Sequence, residues 1–142
     1  MREAMKEAEK GRLVGEVPVG ALLIGQSDEV VARDHNRCIS RSDPTAHAEI
    51  LVIRKAAKLL ENYRLNGISM VVTIEPCPMC MGAIMNARLD MLVFGAFDPK
   101  AGAAGSVYNL SDGSLNHRLR VISGIMEKEC RELMQDFFRE RR

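Results

Sequence analysis

No stretch of the chain approaches the ~20 consecutive apolar residues of a membrane-crossing helix, so no such helix is expected. No sign of charge dominates either. Lys and Arg number 20 against 19 Asp and Glu, a formal net charge of +1. A chain-wide attraction to phosphate is therefore excluded, and any nucleic-acid contact has to rest on a local patch. Linkers, low-complexity tracts and internal repeats are absent. With 142 residues and ~100–200 residues per domain, one domain over residues 1–142 is expected. A domain of this size buries roughly 68–70% of the surface that its unfolded chain exposes, enough for a core without staples. Cysteine is scarce, at four. The opening residues Met1 to Lys6 are charged and helical, not a basic leader before an apolar run, so no secretory signal is expected. Four cysteines in that setting argue against a disulfide framework and toward metal or redox chemistry. Trp is missing and aromatics are 4%, whereas Met is frequent at nine. Its flexible side chain fills irregular core gaps and contact surfaces.

The hydrophobic pattern gives the element order. Residues 1–12 read as a helix, with Ala4, Met5, Ala8 and Leu13 at helical spacing. The apolar run 19–25 is too short for a helix and reads as a buried strand, and 29–34 as its hairpin partner across the polar turn at 26–29. Asp43-Pro44 predicts a helix start, Asp as N-cap and Pro at the first position. That helix extends to about Asn62, with an apolar stripe of Ile50, Ile53, Ala57 and Leu60. Strands at 68–74 and 91–95 flank a helix that opens at Pro78 and ends near Arg88. A short fifth strand at 120–123 precedes a closing helix over 125–142, with Met126, Cys130, Leu133, Met134 and Phe137 on one face. Strands that alternate with helices require crossovers and a partly parallel sheet. The expected fold is α/β: a three-layer α/β/α sandwich on a mixed, mostly five-stranded sheet, its first two strands antiparallel.

The chemistry concentrates in His47-Ala48-Glu49 and Pro76-Cys77-Pro78-Met79-Cys80. Imidazole and thiolate are zinc ligands, and a catalytic zinc site supplies three protein ligands and keeps one position open. His47, Cys77 and Cys80 make that count. Both cysteines fall at a predicted helix start, where unpaired N–H groups and the dipole favour thiolates. His47 and Glu49 would point ~200° apart on a continuous helix, so they address one site only if the motif lies in the first turn. Glu49 is surplus as a ligand and suits proton transfer beside an activated water. Alone, each piece has a plainer reading: CxxC is also a thioredoxin-like pair or half of a structural zinc site. A closed structural shell needs a fourth ligand, for which Cys38 and His35 are the nearby candidates. Cys130 reads as a buried residue of the last helix and Glu75 as a structural residue at a strand end. H-x-E with P-C-x-x-C, in this order and each opening a helix, is the signature of zinc nucleobase deaminases.

With these motifs the chain resembles the zinc-dependent cytidine/deoxycytidylate deaminase superfamily and, within it, the bacterial tRNA-specific adenosine deaminases. The likeness runs through Glu16-Val17-Pro18-Val19-Gly20-Ala21, Asn36-Arg37, Asp43 to Ile50, Asn62 to Leu65 and Glu75 to Cys80. It continues through Gly95 to Ser106, Asn116-His117-Arg118 and Asp136 to Arg139. The Asp98 to Ser106 loop and the Phe-Phe-Arg end are the parts particular to the tRNA enzymes. Such proteins have several more residues before the first helix than stand here. The resemblance implies a cytidine deaminase-like fold, cytoplasmic location, a homodimer, one zinc ion (Zn2+) per subunit and a tRNA anticodon stem-loop as partner. It implies hydrolytic deamination of adenosine to inosine at the wobble position, with Glu49 as proton shuttle. Asn36 would hydrogen-bond the flipped base, Val17 would pack on its face opposite His47, and Ala48 would offer a backbone group. Asp98 and Lys100 would meet the flanking nucleotides, and Phe138 and Arg139 the anticodon loop. A zinc deaminase of a small nucleobase or nucleoside, such as cytosine or guanine, shares HxE and PCxxC. A non-catalytic zinc or redox module that binds RNA has no use for Glu49.

Overall fold

The computed structural model describes residues 1–142. Helix α1 (Arg2–Leu13) precedes a hairpin of β1 (Gly20–Ile24) and β2 (Val30–His35). Then α2 (Ala48–Leu60), β3 (Ser69–Ile74), α3 (Pro78–Asn86) and β4 (Met91–Ala96) alternate, and β5 (Arg120–Ile122) and α4 (Glu127–Glu140) close the chain. The strands form one sheet in the order β2-β1-β3-β4-β5. β1 is antiparallel to both neighbours, whereas β3, β4 and β5 run parallel. Parallel neighbours need a crossover connection. The helix α3 supplies one, and the loop over 97–119 supplies the other.

Register sorts the two faces. Leu22 pairs with Val71, and Val71 with Val93, so these residues share a face with Gly20 and Gly95. Helices α1 and α4 cover it. At Gly20 the approach of α1 leaves no space for a side chain: a Cβ there would lie 1.9 Å from the Ala4 carbonyl oxygen. Cys130 of α4 closes over Gly95. The opposite face carries Ala21, Leu23, Met70, Val72, Leu92 and Phe94, which pack with Val52 and Ala56 of α2 and Met81 and Ile84 of α3. Each large apolar side chain fully removed from water there contributes about 1.5–3 kcal/mol. The expected three-layer sandwich with a mixed five-stranded sheet is the fold observed.

Three local expectations need correction. Helix α2 begins at Ala48, not at Pro44. Asp43 Oδ1 is spent on a turn, accepting from Thr45 N at 2.8 Å and Thr45 Oγ1 at 2.7 Å. The buried face of α2 is Ala48, Leu51, Val52 and Ala56, whereas Leu60 of the predicted stripe is exposed. In α1, Leu13 likewise lies in solvent, and Ala4, Glu7, Ala8 and Gly11 face inward.

The outer strands β2 and β5 differ in how they are finished. β5 is three residues long. On β2, Lys55 Nζ donates to the Arg33 carbonyl at 3.0 Å and pairs with Asp34 Oδ2 at 2.8 Å. Burial alone would push the Asp34 carboxyl up. Hydrogen bonds from Lys55, the His35 backbone and Arg37 overcome it and hold the group below the usual carboxylate range.

Candidate active site

Four strand ends meet at one edge of the sheet: the start of β1 and the ends of β2, β3 and β4. Ligands in open α/β sheets bind in the crevice beyond the carboxyl ends of the strands. A cavity of about 680 Å³ lies there, lined in part by Val17, Asn36, His47, Glu49, Cys77 and Asp98.

His47 is the N-cap of α2 and has an extended backbone, φ −70° and ψ 150°. Glu49 is inside the first turn. The two side chains reach one site because His47 stands just outside the helix, so the ~200° helical separation does not apply. Cys77 is likewise the extended N-cap of α3, followed by Pro78, and Cys80 lies in its first turn. Two helix N-termini thus aim their positive ends at one point, which favours thiolates.

The ligand atoms are close. Cys77 Sγ and Cys80 Sγ lie 3.7 and 3.5 Å from His47 Nδ1. All three ligand atoms fall within 4.8 Å of one another. A tetrahedral zinc ion with Zn–S of ~2.3 Å and Zn–N of ~2.0–2.1 Å separates sulfur and nitrogen ligands by about 3.6 Å. The group can therefore hold a metal, and it has three members. Cys38 lines the cavity but is not among them, and the His35 ring is engaged with the Asn36 carbonyl at 2.8 Å. No fourth protein ligand closes the shell.

Electrostatics carry the same message. Hydrogen bonding by Cys80, and then by His47, pulls the Cys77 thiol far below its ordinary value. The Cys77 hydrogen bond, burial and the nearby Glu49 charge push Cys80 up. The hydrogen bond with Cys77 raises His47. Glu49 is almost fully buried, and burial raises its carboxyl. Its Oε2 has no hydrogen-bond partner in the protein. A buried polar atom without a partner is costly and marks a site made for something else to fill.

The remaining residues divide. Val17, Asn36, Asp98, Lys100 and Phe138 all line the cavity. Asn36 Oδ1 accepts from Ala48 N at 2.8 Å. That bond commits the Ala48 N–H, and Ala48 itself is fully buried. It also leaves the amide N–H2 of Asn36 as the group it can offer. Arg139 lies in an adjoining groove with Lys100, Phe138, Arg141 and Arg142 and pairs with Asp136. Sequence reasoning missed Arg131 and Gln135 and gave Met134 only to the core face; all three bring α4 to the cavity. The signal was the 131, 134, 138 spacing, a helical stripe beside the core stripe.

The MafB19-like deaminase family matches this chain over residues 1–142. The tRNA-specific adenosine deaminase of Bacillus subtilis strain 168 is 48% identical over 143 aligned residues, covering all of this chain and 88% of the relative. That of Haemophilus influenzae Rd is 46% identical, covering all of this chain and 83% of the relative. A solved tRNA:A34 deaminase, studied for A-to-I editing at the wobble position of transfer RNA, superposes with a TM-score of 0.89 at 44% identity. The match covers 94% of this chain and 96% of that one. A guanine deaminase from Nitrosomonas europaea shares the fold at 20% identity and a TM-score of 0.85, over 96% of this chain and 81% of that one. By these matches the chain belongs to the MafB19-like deaminases and, within them, to the family of tRNA-specific adenosine deaminases.

Proposed function

We propose that this chain is a single zinc-dependent deaminase domain that converts adenosine to inosine, hydrolytically, at the wobble position of a tRNA anticodon loop. The observation that carries the reading is Glu49: a buried carboxyl with an unpartnered oxygen beside a three-member His/Cys/Cys group. His47, Cys77 and Cys80 would hold one zinc ion. Zinc in such a site supplies Lewis acidity, which makes water an effective nucleophile near neutral pH. Glu49 takes the proton of the water that attacks C6 of adenine, delivers it to ring N1, and then assists ammonia to leave. Burial suits that exchange, because a carboxyl raised toward neutrality can both hold and release a proton. Asn36 offers its amide N–H2 to the base, and Val17 packs on the ring face opposite His47. Asp98 and Lys100 meet the flanking nucleotides.

The cavity's neighbour argues for RNA over a free base. Lys100, Phe138, Arg139, Arg141 and Arg142 line one continuous groove beside it. Bases splayed from an anticodon loop cost less to extrude than duplex bases. Incubation with a wobble-adenosine anticodon stem-loop, beside free adenosine and cytidine, should yield inosine from the stem-loop alone. Turnover of a free nucleoside with the stem-loop untouched would establish a small-substrate deaminase.

The groove gives a salt-dependent prediction. Arg141 already braces the fold: its guanidinium lies 4.2 Å from the Phe137 ring centre and donates to the Gly15 carbonyl at 3.1 Å. The Arg139→Ala/Arg142→Ala double variant should therefore weaken stem-loop binding and flatten its salt dependence, by about 0.7 in the log–log slope for each phosphate no longer neutralised. Titrations at two salt concentrations measure it, and an unchanged slope removes these arginines from the interface.

We also infer a homodimer acting in the cytoplasm. Met81, Ile84 and Met85 of α3 are buried in the core and supply no contact surface. The exposed large apolar side chains of α2, the turn after it and α3 are Leu59, Leu60, Tyr63 and Met79. A solution mass of two chains at micromolar concentration is expected, and a fully active monomer would refute it. No helix is long and apolar enough to cross a membrane.

A further inference from the structure

We infer that Glu75 is a positioning residue for RNA: its carboxylate fixes the shape of the loop that presents Asp98 and Lys100, and so sets affinity for the nucleotides around the reacting base. The inference rests on the function proposed above. Glu75 directly follows β3, two residues before Cys77, and is 2% exposed. Its two oxygens collect four donors from a single loop. Oε2 accepts from Asp98 N at 3.0 Å and from Ser106 Oγ. Oε1 accepts from Ala104 N and Ser106 N, each at 3.0 Å. The donors span residues 98 to 106, so one side chain fixes both ends of the loop.

The loop is shaped around that carboxylate. A Cβ at Gly102 would lie 2.3 Å from Glu75 Oε2 and 2.6 Å from the Asp98 carbonyl, so a side chain there would displace one or the other. Asp98 Oδ1 in turn accepts from Lys100 N at 2.9 Å and Ala101 N at 3.3 Å. Asp98 and Lys100 both face the cavity, and Lys100 also faces the basic groove. Backbone groups hold the zinc side of the junction independently: Ala103 N donates to the Pro76 carbonyl at 2.8 Å and Glu75 N to the Ala96 carbonyl at 2.8 Å. Loss of the carboxylate should loosen the loop without dispersing His47, Cys77 and Cys80. An oxygen that accepts two N–H groups cannot be replaced by an amide N–H2, which sets donor against donor.

The test compares Glu75→Gln, Ser106→Ala and Ser106→Thr with wild type on an anticodon stem-loop, with zinc content and thermal midpoint measured alongside. Ser106 is exposed and loses one bond as Ala, whereas Thr retains the hydroxyl. Glu75→Gln should raise KM by about 10–100-fold, as for lost orienting partners elsewhere, with kcat within about threefold and zinc unchanged. Ser106→Ala should raise KM less, and Ser106→Thr should restore it. A fall in kcat at constant KM, or Ser106→Ala indistinguishable from wild type, overturns the inference. If Glu75→Gln does not fold, the two Ser106 variants decide alone. A wild-type enzyme inert on the stem-loop overturns the proposed function and this inference with it. An active wild type with unchanged KM in every variant overturns this inference alone.

Discussion

Replacing Glu49 by Gln should leave zinc and fold in place and lower deamination by ~10²–10⁴-fold, the range for a positioned proton-transfer group. Gln has nearly the same volume, so the buried pocket under α2 keeps its packing. What disappears is the ability to take up and return a proton at Oε2, the oxygen with no partner in the protein. In the proposed mechanism the same carboxyl serves water, ring N1 and the departing ammonia, so the effect should lie toward the upper end. KM should change little, because the groups proposed to hold the base, Asn36 and Val17, are untouched. Single-turnover inosine formation, with metal analysis on the same sample, measures both quantities. Activity within tenfold of wild type would remove Glu49 from the mechanism.

The second large effect is expected at Cys77. Cys77→Ala should abolish stoichiometric zinc and reduce activity to background while the circular dichroism stays helical. Cys77 suits this test better than Cys80. Cys80 is fully buried, so its truncation also disturbs packing, whereas Cys77 is half-buried and makes no side-chain capping bond. Losing a group that merely orients a metal ligand costs ~10–100-fold in affinity, so losing one of three ligands should cost more. Zinc that survives dialysis at one ion per chain would exclude Cys77 as a ligand.

The grouping of His47, Cys77 and Cys80 was legible because it depends on residue type and spacing. The mechanism of convergence was not. The expectation that Pro44 opens the helix puts His47 inside it. In the structure Asp43 Oδ1 accepts from Thr45 N, the same bond an N-cap makes, but the chain leaves that turn and His47 becomes the N-cap, so the local pattern does not say whether a helix follows. The face of α2 was illegible for another reason. Residues 50–53 are Ile-Leu-Val-Ile, apolar on every side, so periodicity cannot fix the phase. Glu75 was recognisable as structural, yet its four partners lie 23 to 31 residues downstream, beyond any local pattern. Arg131 and Gln135 were hidden because nothing in α4 says which loop its second stripe meets. The methionines of α3 read equally well as core or contact surface, and packing under the sheet decided for core.

The finish of the two outer strands governs how copies of this fold can meet. A bare outer strand is a template: its unpaired N–H and C=O groups recruit another chain's strand, and the sheet grows. Here β5 offers only three residues, a short edge for a partner strand. On β2 the Arg33 carbonyl is already occupied by Lys55, whose charge would have to be stripped of both the carbonyl and Asp34 before a strand docked. Growth by sheet extension, the common route to fibrous aggregates, is closed at both ends. Association between copies is thereby left to side chains on helices and loops. Such contacts end at a defined stoichiometry when their symmetry closes, as a two-fold contact does.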